Sequence, residues 1–365
     1  MNSGRYQYVK KGRLFICLQQ NPFLLLWLVF FKHKSLRLSA LRVNRKTGIS
    51  GFKAVALHSL INKKINRGVA LPIRGQLALA VHRGYKVFDL DRKLVIRVID
   101  KDVDSSIVCE EIKGVRTAGR LECAPSVKKW DEKERWYEED YLIGDQQSLF
   151  NESKSGKLFD LFHSRVRFCL QDLSEIERFT KVNSRRYIEE NARIVDDQRL
   201  FDSSLNQAKI QKVRTFLSSI SAQLLHQAGG ETVLTFSHGD FSLVNILSTH
   251  RGIKVIDWEG AKFRGLLHDL YNFFLTEIYY DRVGVDIAAN VDRSAHDLLK
   301  RFINEPSISK FQGSISIPFY RRLHYLERLQ TLLERELTDQ VLDVIIRSID
   351  VFNRFEHESN LLQKS

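Results

Sequence analysis

The stretch His238-Gly-Asp240-Phe-Ser-Leu-Val-Asn245, followed twelve residues on by Asp257 at the end of Ile253-Lys-Val-Ile-Asp257, decides how this chain is read. It sets a carboxylate and an amide five positions apart in a loop, with a second carboxylate closing the next apolar run. The flanking runs, Val233-Leu-Thr-Phe236 and Ile253-Lys-Val-Ile256, are short and rich in β-branched and aromatic residues, so they read as strands around the loop. Phosphoryl transfer needs such a set: one carboxylate to orient and deprotonate a hydroxyl, and an Asn with a second Asp to hold magnesium on the nucleotide phosphates. Magnesium prefers hard oxygen ligands, which is why Asn and Asp, not His or Cys, are the types required. Taken singly, Gly-Asp is a common turn pair and Asn a common helix cap. Their coupling to Asp257 is what favours chemistry.

In three places, HGDFSLVNIL at 238–247, IKVIDWEG at 253–260 and GLLHDL at 265–270, the chain resembles the aminoglycoside phosphotransferase and choline kinase family. The resemblance extends more weakly over residues 75 to about 280. It implies an α+β, bilobal protein-kinase-like fold, with a small antiparallel-sheet N-lobe and a mainly helical C-lobe. It also implies ATP and Mg2+ as cofactors and a hydroxyl of a small molecule, sugar or glycan as acceptor. By the family's pattern Asp240 would be the catalytic base, Asn245 and Asp257 the metal ligands, and His238 a support for the loop backbone. Asp269 would brace that loop from the following helix. A strand cation that meets the phosphates and pairs with a helix Glu would be Arg97 with Glu111, with Lys93 and Glu110 as rivals. The hinge whose backbone meets adenine would be Glu139 to Ile143, Tyr141 included. Two departures matter. Only Gly84 sits between the first two expected strands, so a glycine-rich phosphate cradle is not evident. Asp257-Trp-Glu259 stands where protein kinases have Asp-Phe-Gly, which favours a small-molecule acceptor.

Outward from the loop, the pattern is strand-like from Gly75: GQLALAV, a turn at His82 to Gly84, YKVFDLD, then KLVIRVID, giving three antiparallel strands. Val103 to Gly119 has helical spacing, and an apolar-aromatic strand is expected around Trp136 to Ile143. From Ser148 the chain reads as mainly helical, with helices over Ala208–Gln227, His268–Tyr280, Asp292–Ile303 and Tyr320–Phe352. The expected division is a basic and apolar extension over 1–70, a nucleotide-binding N-lobe over 71–145 and a catalytic C-lobe over 146–365.

A chain of 365 residues, 43% apolar and 28% charged, can bury an ordinary core, which excludes disorder throughout. Cys17, Cys109, Cys123 and Cys169 form no C-x-x-C pair, which argues against a zinc site or disulfide framework and fits a cytoplasmic location. The net charge of +13 is uneven: residues 1–88 hold 17 of the 57 Lys and Arg and no acid, leaving 40 basic against 44 acidic residues beyond. Such a leader points to an anionic surface. Its apolar run Phe23 to Phe31 would span roughly 14 Å as a helix, too short for about 30 Å of hydrocarbon. Followed closely by Lys32, Lys34, Arg37, Arg42, Arg45 and Lys46, it could instead hold the protein peripherally on the inner face of a membrane. An amphipathic helix packed on the N-lobe is the plainer reading. No nucleic-acid motif is present, and none is expected as partner. Two further readings stay open: a pseudokinase-like protein that binds nucleotide or a partner without chemistry, and a membrane-associated kinase of cell-envelope glycan or lipid.

Overall fold

A computed structural model describes residues 4–8, 14–17, 68–73, 75, 77–153, 157–170, 179–193, 205–303, 316–334 and 337–362. The fold is α+β, with an antiparallel sheet toward the N-terminus and a mainly helical C-terminal part. The chain divides into two compact units, residues 1–147 with 247–259, and residues 148–246 with 260–365.

The first unit is built on an eight-stranded sheet. Its strands are β1 (Gly4–Tyr8), β2 (Leu14–Cys17), β3 (Gly68–Leu71), β4 (Leu77–Val81), β5 (Gly84–Asp89), β6 (Leu94–Ile99), β7 (Val127–Asp131) and β8 (Trp136–Asp140). They are ordered β3-β1-β2-β4-β5-β6-β8-β7, with every pairing antiparallel. The three strands expected from Gly75 are β4, β5 and β6. The extension expected over 1–70 differs from the structure in that β1 and β2 join this sheet; its apolar run 23–31 lies outside the described residues.

Alternation along the strands sorts side chains between the two faces. Ala78, Val87, Ile96 and Val98 share one face and, with Leu71, form a buried cluster. The other face carries Lys86, opposite Arg97, which in turn stands opposite Tyr137. The β4–β5 turn is only His82 and Arg83 long, and Gly84 follows it at φ +144°. A Cβ there would lie 2.1 Å from the Val98 carbonyl oxygen, so close backbone approach is what requires glycine at this position.

Helix α1 (Ser105–Ala118) opens where the Asp104 carboxylate accepts the Ser106 N–H at 2.7 Å, and it buries Val108, Ile112 and Val115. A two-stranded hairpin, β11 (Ile246–Thr249) with β12 (Gly252–Val255), completes this unit. Sequence reading placed it with the C-lobe. Backbone hydrogen bonds explain the difference, since Asp145 and Ser248 bridge and the Val255 N–H donates to Cys123 O at 2.7 Å.

The second unit is mostly helix: α2 (Gln147–Glu152), α3 (Leu158–Leu161), α4 (Ser184–Ala192), α5 (Gln207–Gln227), α6 (His268–Tyr279), α7 (Ala288–Ile303), α8 (Ile317–Leu333) and α9 (Asp339–Leu362). A three-stranded antiparallel sheet, β13 (Lys262–Gly265), β10 (Glu231–Ser237) and β9 (Thr180–Asn183), runs through it. Every residue from His268 to Leu275 is buried, and α7, α8 and α9 pack against α6. Tyr320 pins α8 to β10, its hydroxyl accepting from Val233 N at 3.0 Å and donating to Val233 O at 3.1 Å. The single helix expected over Tyr320–Phe352 is in fact two. Thr338 accepts the Val341 N–H on its hydroxyl at 3.3 Å and so starts a new helix with Asp339 in its first turn, a cap that apolar periodicity does not register.

Candidate active site

In the second unit, β10 ends at Ser237 and delivers the loop that carries Asp240. Gly239 turns it at φ +83°, and a Cβ there would sit 2.3 Å from the Arg264 guanidinium. Asp269, in the first turn of α6, gathers the loop. Its carboxylate accepts from Ser237 Oγ at 2.8 Å, His238 N at 2.6 Å and Gly239 N at 2.9 Å. One turn on, Asn272 donates to Phe241 O at 3.0 Å. His238 is fully buried, and its Nδ1 accepts the Asp240 N–H at 3.2 Å, which assigns the ring proton to Nε2. Asn245 Nδ2 donates to Asp240 O at 2.8 Å and to Asp240 Oδ2 at 3.3 Å, so its Oδ1 is the atom left to offer a cation. Arg328 of α8 takes the other Asp240 oxygen, Nη1 to Oδ1 at 3.1 Å, and the Asp240 side chain remains 48% exposed.

Behind the loop lies a buried polar knot. Glu327 accepts from Tyr187 at 2.6 Å and from Gly265 N at 2.8 Å, and meets His268 Nδ1 at 2.7 Å. Burial, with the Arg264 charge, keeps His268 well below its ordinary pKa, so the imidazole is neutral and donates to Glu327.

In the first unit, the cations and carboxylates form a second cluster. Lys86 Nζ lies 2.5 Å from Asp257 and 2.7 Å from Glu259. Burial disfavours its charge, but these two carboxylates, helped by Glu139, outweigh it and raise its pKa. Asp257 holds the left-handed conformation at φ +68°, an unusual choice for a non-glycine residue and one found at functional turns. Arg97 is almost wholly buried. It meets Glu111 of α1 at 3.2 Å and donates to His82 O at 2.7 Å and Val98 O at 3.2 Å. Glu259 lies 3.5 Å from its Nε. Burial pushes the Glu111 carboxyl up to about 7 against the pull of Arg97. It also pushes Glu139 up to about 8, although Lys86 pulls the other way.

The structure brings Asp240, His238, Asn245 and Asp269 into one hydrogen-bonded loop, and joins Arg97 to Glu111. The rivals Lys93 and Glu110 are exposed, and Lys93 sits in a turn at φ +55°. Of the expected hinge, Glu139 is a buried residue of β8, the Tyr141 N–H donates to Lys93 O at 2.9 Å, and Ile143 is exposed. Sequence reasoning missed Lys86 as the cation on Asp257, gave Glu259 no contact of its own, and missed Arg264. The signal for Lys86 was its place out of phase with buried Val87 in Tyr85-Lys-Val-Phe88, which puts it on the Arg97 face of the sheet.

Magnesium would fit these donors by chemistry. Asp257 of the first unit is a half-exposed carboxylate, and Asn245 of the second spends its amide N–H donors on Asp240, so each has an oxygen of the hard type that magnesium takes.

No protein-family model matches the sequence, and no curated protein matches it. Among solved structures the chain is similar to the choline kinase LicA from Streptococcus pneumoniae, at 11% identity and TM-score 0.44, over 83% of this chain and 98% of that one. It is also similar to a choline/ethanolamine kinase family protein from Mesorhizobium loti, at 14% identity and TM-score 0.48, over 78% and 92%. A third is an aminoglycoside phosphotransferase from Alicyclobacillus acidocaldarius, at 10% identity and TM-score 0.40, over 79% and 91%.

Proposed function

We propose that this protein is a phosphotransferase that moves the terminal phosphoryl group of ATP to a hydroxyl of a small molecule, sugar or glycan. The observation that carries the reading is the Asp240 loop: a half-exposed carboxylate tied to Asn245 and held by a buried Asp269 through three donors. Asp240 accepts the acceptor's hydroxyl proton as that oxygen forms its bond to phosphorus and the bridging phosphate oxygen departs with the diphosphate. Asn245 orients Asp240 Oδ2 through its amide N–H. Lys86, now on Asp257 and Glu259, is the cation that turns to the nucleotide phosphates, while Arg97 stays with Glu111 and holds α1 against the sheet. Bound Mg2+ would neutralise charge on the transferring group, with Asn245 and Asp257 as its protein ligands.

The test is nucleotide consumption by the full chain with Mg-ATP across sugars, amines and glycans. Asp240→Asn should abolish it, and full activity in that variant would remove Asp240 from its role. One observation favours a second reading, nucleotide binding without transfer: the β4–β5 turn is two residues long and its glycine serves packing, so no glycine-rich cradle covers the phosphates. That reading expects nucleotide binding with no turnover in the same assay. Among the described residues no helix is long and apolar enough to cross a membrane. Peripheral attachment through residues 1–70, and with it a cell-envelope glycan or lipid acceptor, is tested by liposome co-sedimentation of the full chain beside a variant with Lys32, Lys34, Arg37, Arg42, Arg45 and Lys46 changed to Gln, which should differ.

A further inference from the structure

Acceptors such as amino sugars and quaternary amines call for carboxylates around the base. The second unit provides the reverse. Arg328, 18% exposed, sits 3.1 Å from Asp240. Arg264, 3% exposed, packs on the Gly239 backbone and leaves Nη1 without a hydrogen-bond partner. From Arg328 the basic character continues along the end of α6. Arg347 lies over the Tyr279 ring at 4.8 Å, and both Arg347 and Arg328 draw the Tyr279 hydroxyl down against the burial that raises it. Beyond Tyr279 a hollow of about 290 Å³ is lined by Ile278, Asp281, Arg282, Gly284 and Arg354. Three of the nearby carboxylates are already engaged, Glu277 by Arg282 at 2.8 Å, Asp281 by Arg347 at 2.6 Å, and Glu327 by Tyr187, Gly265 and His268.

Resting on the phosphotransferase reading, we infer that the acceptor carries an anionic group, phosphate or carboxylate, beside the hydroxyl that Asp240 deprotonates, and that Arg328 selects for it. In this structure the Arg328 guanidinium occupies Asp240 Oδ1. An anion on the acceptor matches the planar guanidinium fork and draws Arg328 away, so the group that is recognised also frees the base to act. An ammonium in the same place would meet Arg328 as a like charge.

Calorimetric titration of the full chain with glucose 1-phosphate, glucuronic acid, glucose and glucosamine tests this directly. The two anionic sugars should bind at least about tenfold more tightly than glucose, and glucosamine more weakly than glucose. The phosphate and carboxylate arms show which anion is preferred. Arg328→Gln should remove the anion preference while Arg328→Lys keeps part of it, with melting curves confirming that both variants fold. Glucosamine binding as tightly as the anionic sugars, no measurable binding of any of the four, or anion binding unchanged in Arg328→Gln would each overturn the inference. None of these bears on nucleotide consumption and its loss in Asp240→Asn, so the phosphotransferase reading stands or falls separately.

Discussion

The two clusters of chemistry-bearing residues are held by opposite means. In the first unit, charges hold charges: Lys86 on Asp257 and Glu259, Arg97 on Glu111 and Glu259. In the second, the loop backbone that carries Asp240 is held by neutral donors converging on Asp269, with His238 receiving the Asp240 amide and Asn245 tying down one carboxylate oxygen, while Arg328 pairs with the other. Ion pairs can exchange partners when a charged ligand arrives. A carboxylate buried among three N–H and O–H donors has nowhere else to go, because each donor would be left unsatisfied. The difference suits a movable grip on phosphate in one unit and a fixed base in the other.

The contrast can be broken first at Asp269. Asp269→Ala leaves three buried donors unpaired and should lower stability by about 3 kcal/mol or more in chemical denaturation. Phosphoryl transfer should fall at least about a hundredfold through misplacement of Asp240. Arg97 and Lys86 should then separate. Arg97→Met strands a buried Glu111 and removes the contacts to two backbone carbonyls, costing about 3 kcal/mol of stability. Lys86→Met should weaken nucleotide binding about tenfold or more, measured by calorimetry, with a smaller loss of stability because Asp257 remains half exposed. If Arg97→Met proves the milder for stability and the more severe for nucleotide, the assignment of the two cations is reversed.

Glu139 sharpens the same comparison through pH. Its folded pKa of about 8 lies above the ordinary value of 4.5, so the folded state binds the extra proton across that interval. Its contribution is therefore fully present below about 4.5 and lost as pH rises through about 8. Glu139→Gln cannot lose it. Relative to the parent, this variant should become progressively more stable from pH 5 to 8.5, read from denaturation midpoints, and a flat difference would contradict the buried, protonated carboxyl. The smallest effect is expected at Thr338→Ala, about 1 kcal/mol from the lost α9 cap, with transfer and nucleotide binding unchanged.

What the sequence carries and what it does not divides along similar lines. The Asp240 loop was readable because its parts lie close in the chain and their residue types answer to one reaction. Asp269 and Glu111 were named by resemblance, at fixed positions after the loop and on the first helix. Lys86 was not found, since nothing local to YKVFD says that Asp257, 171 residues on, will stand 2.5 Å away. Arg328 was visible only as one of several arginines on helices interspersed with acids, where a solvated face and a residue on the base look identical. The fold's class was what the resemblance implied, and periodicity supplied most of the separate strands and helices. It did not supply the break between α8 and α9, because apolar spacing runs on through it while a threonine cap interrupts the backbone. Nor did it supply the two strands at 4–8 and 14–17, which gain their place from pairing across the sheet and not from their own composition.

The central claim is that Asp240 takes the proton and the rest of the machinery does not depend on it. The direct measurement is single-turnover transfer of labelled terminal phosphate by Asp240→Asn, alongside its affinity for Mg-ATP. The expected result is nucleotide affinity within about threefold of the parent and transfer reduced by at least about a hundredfold. Transfer at the parental rate, or loss of nucleotide binding equal to the loss of transfer, would contradict it.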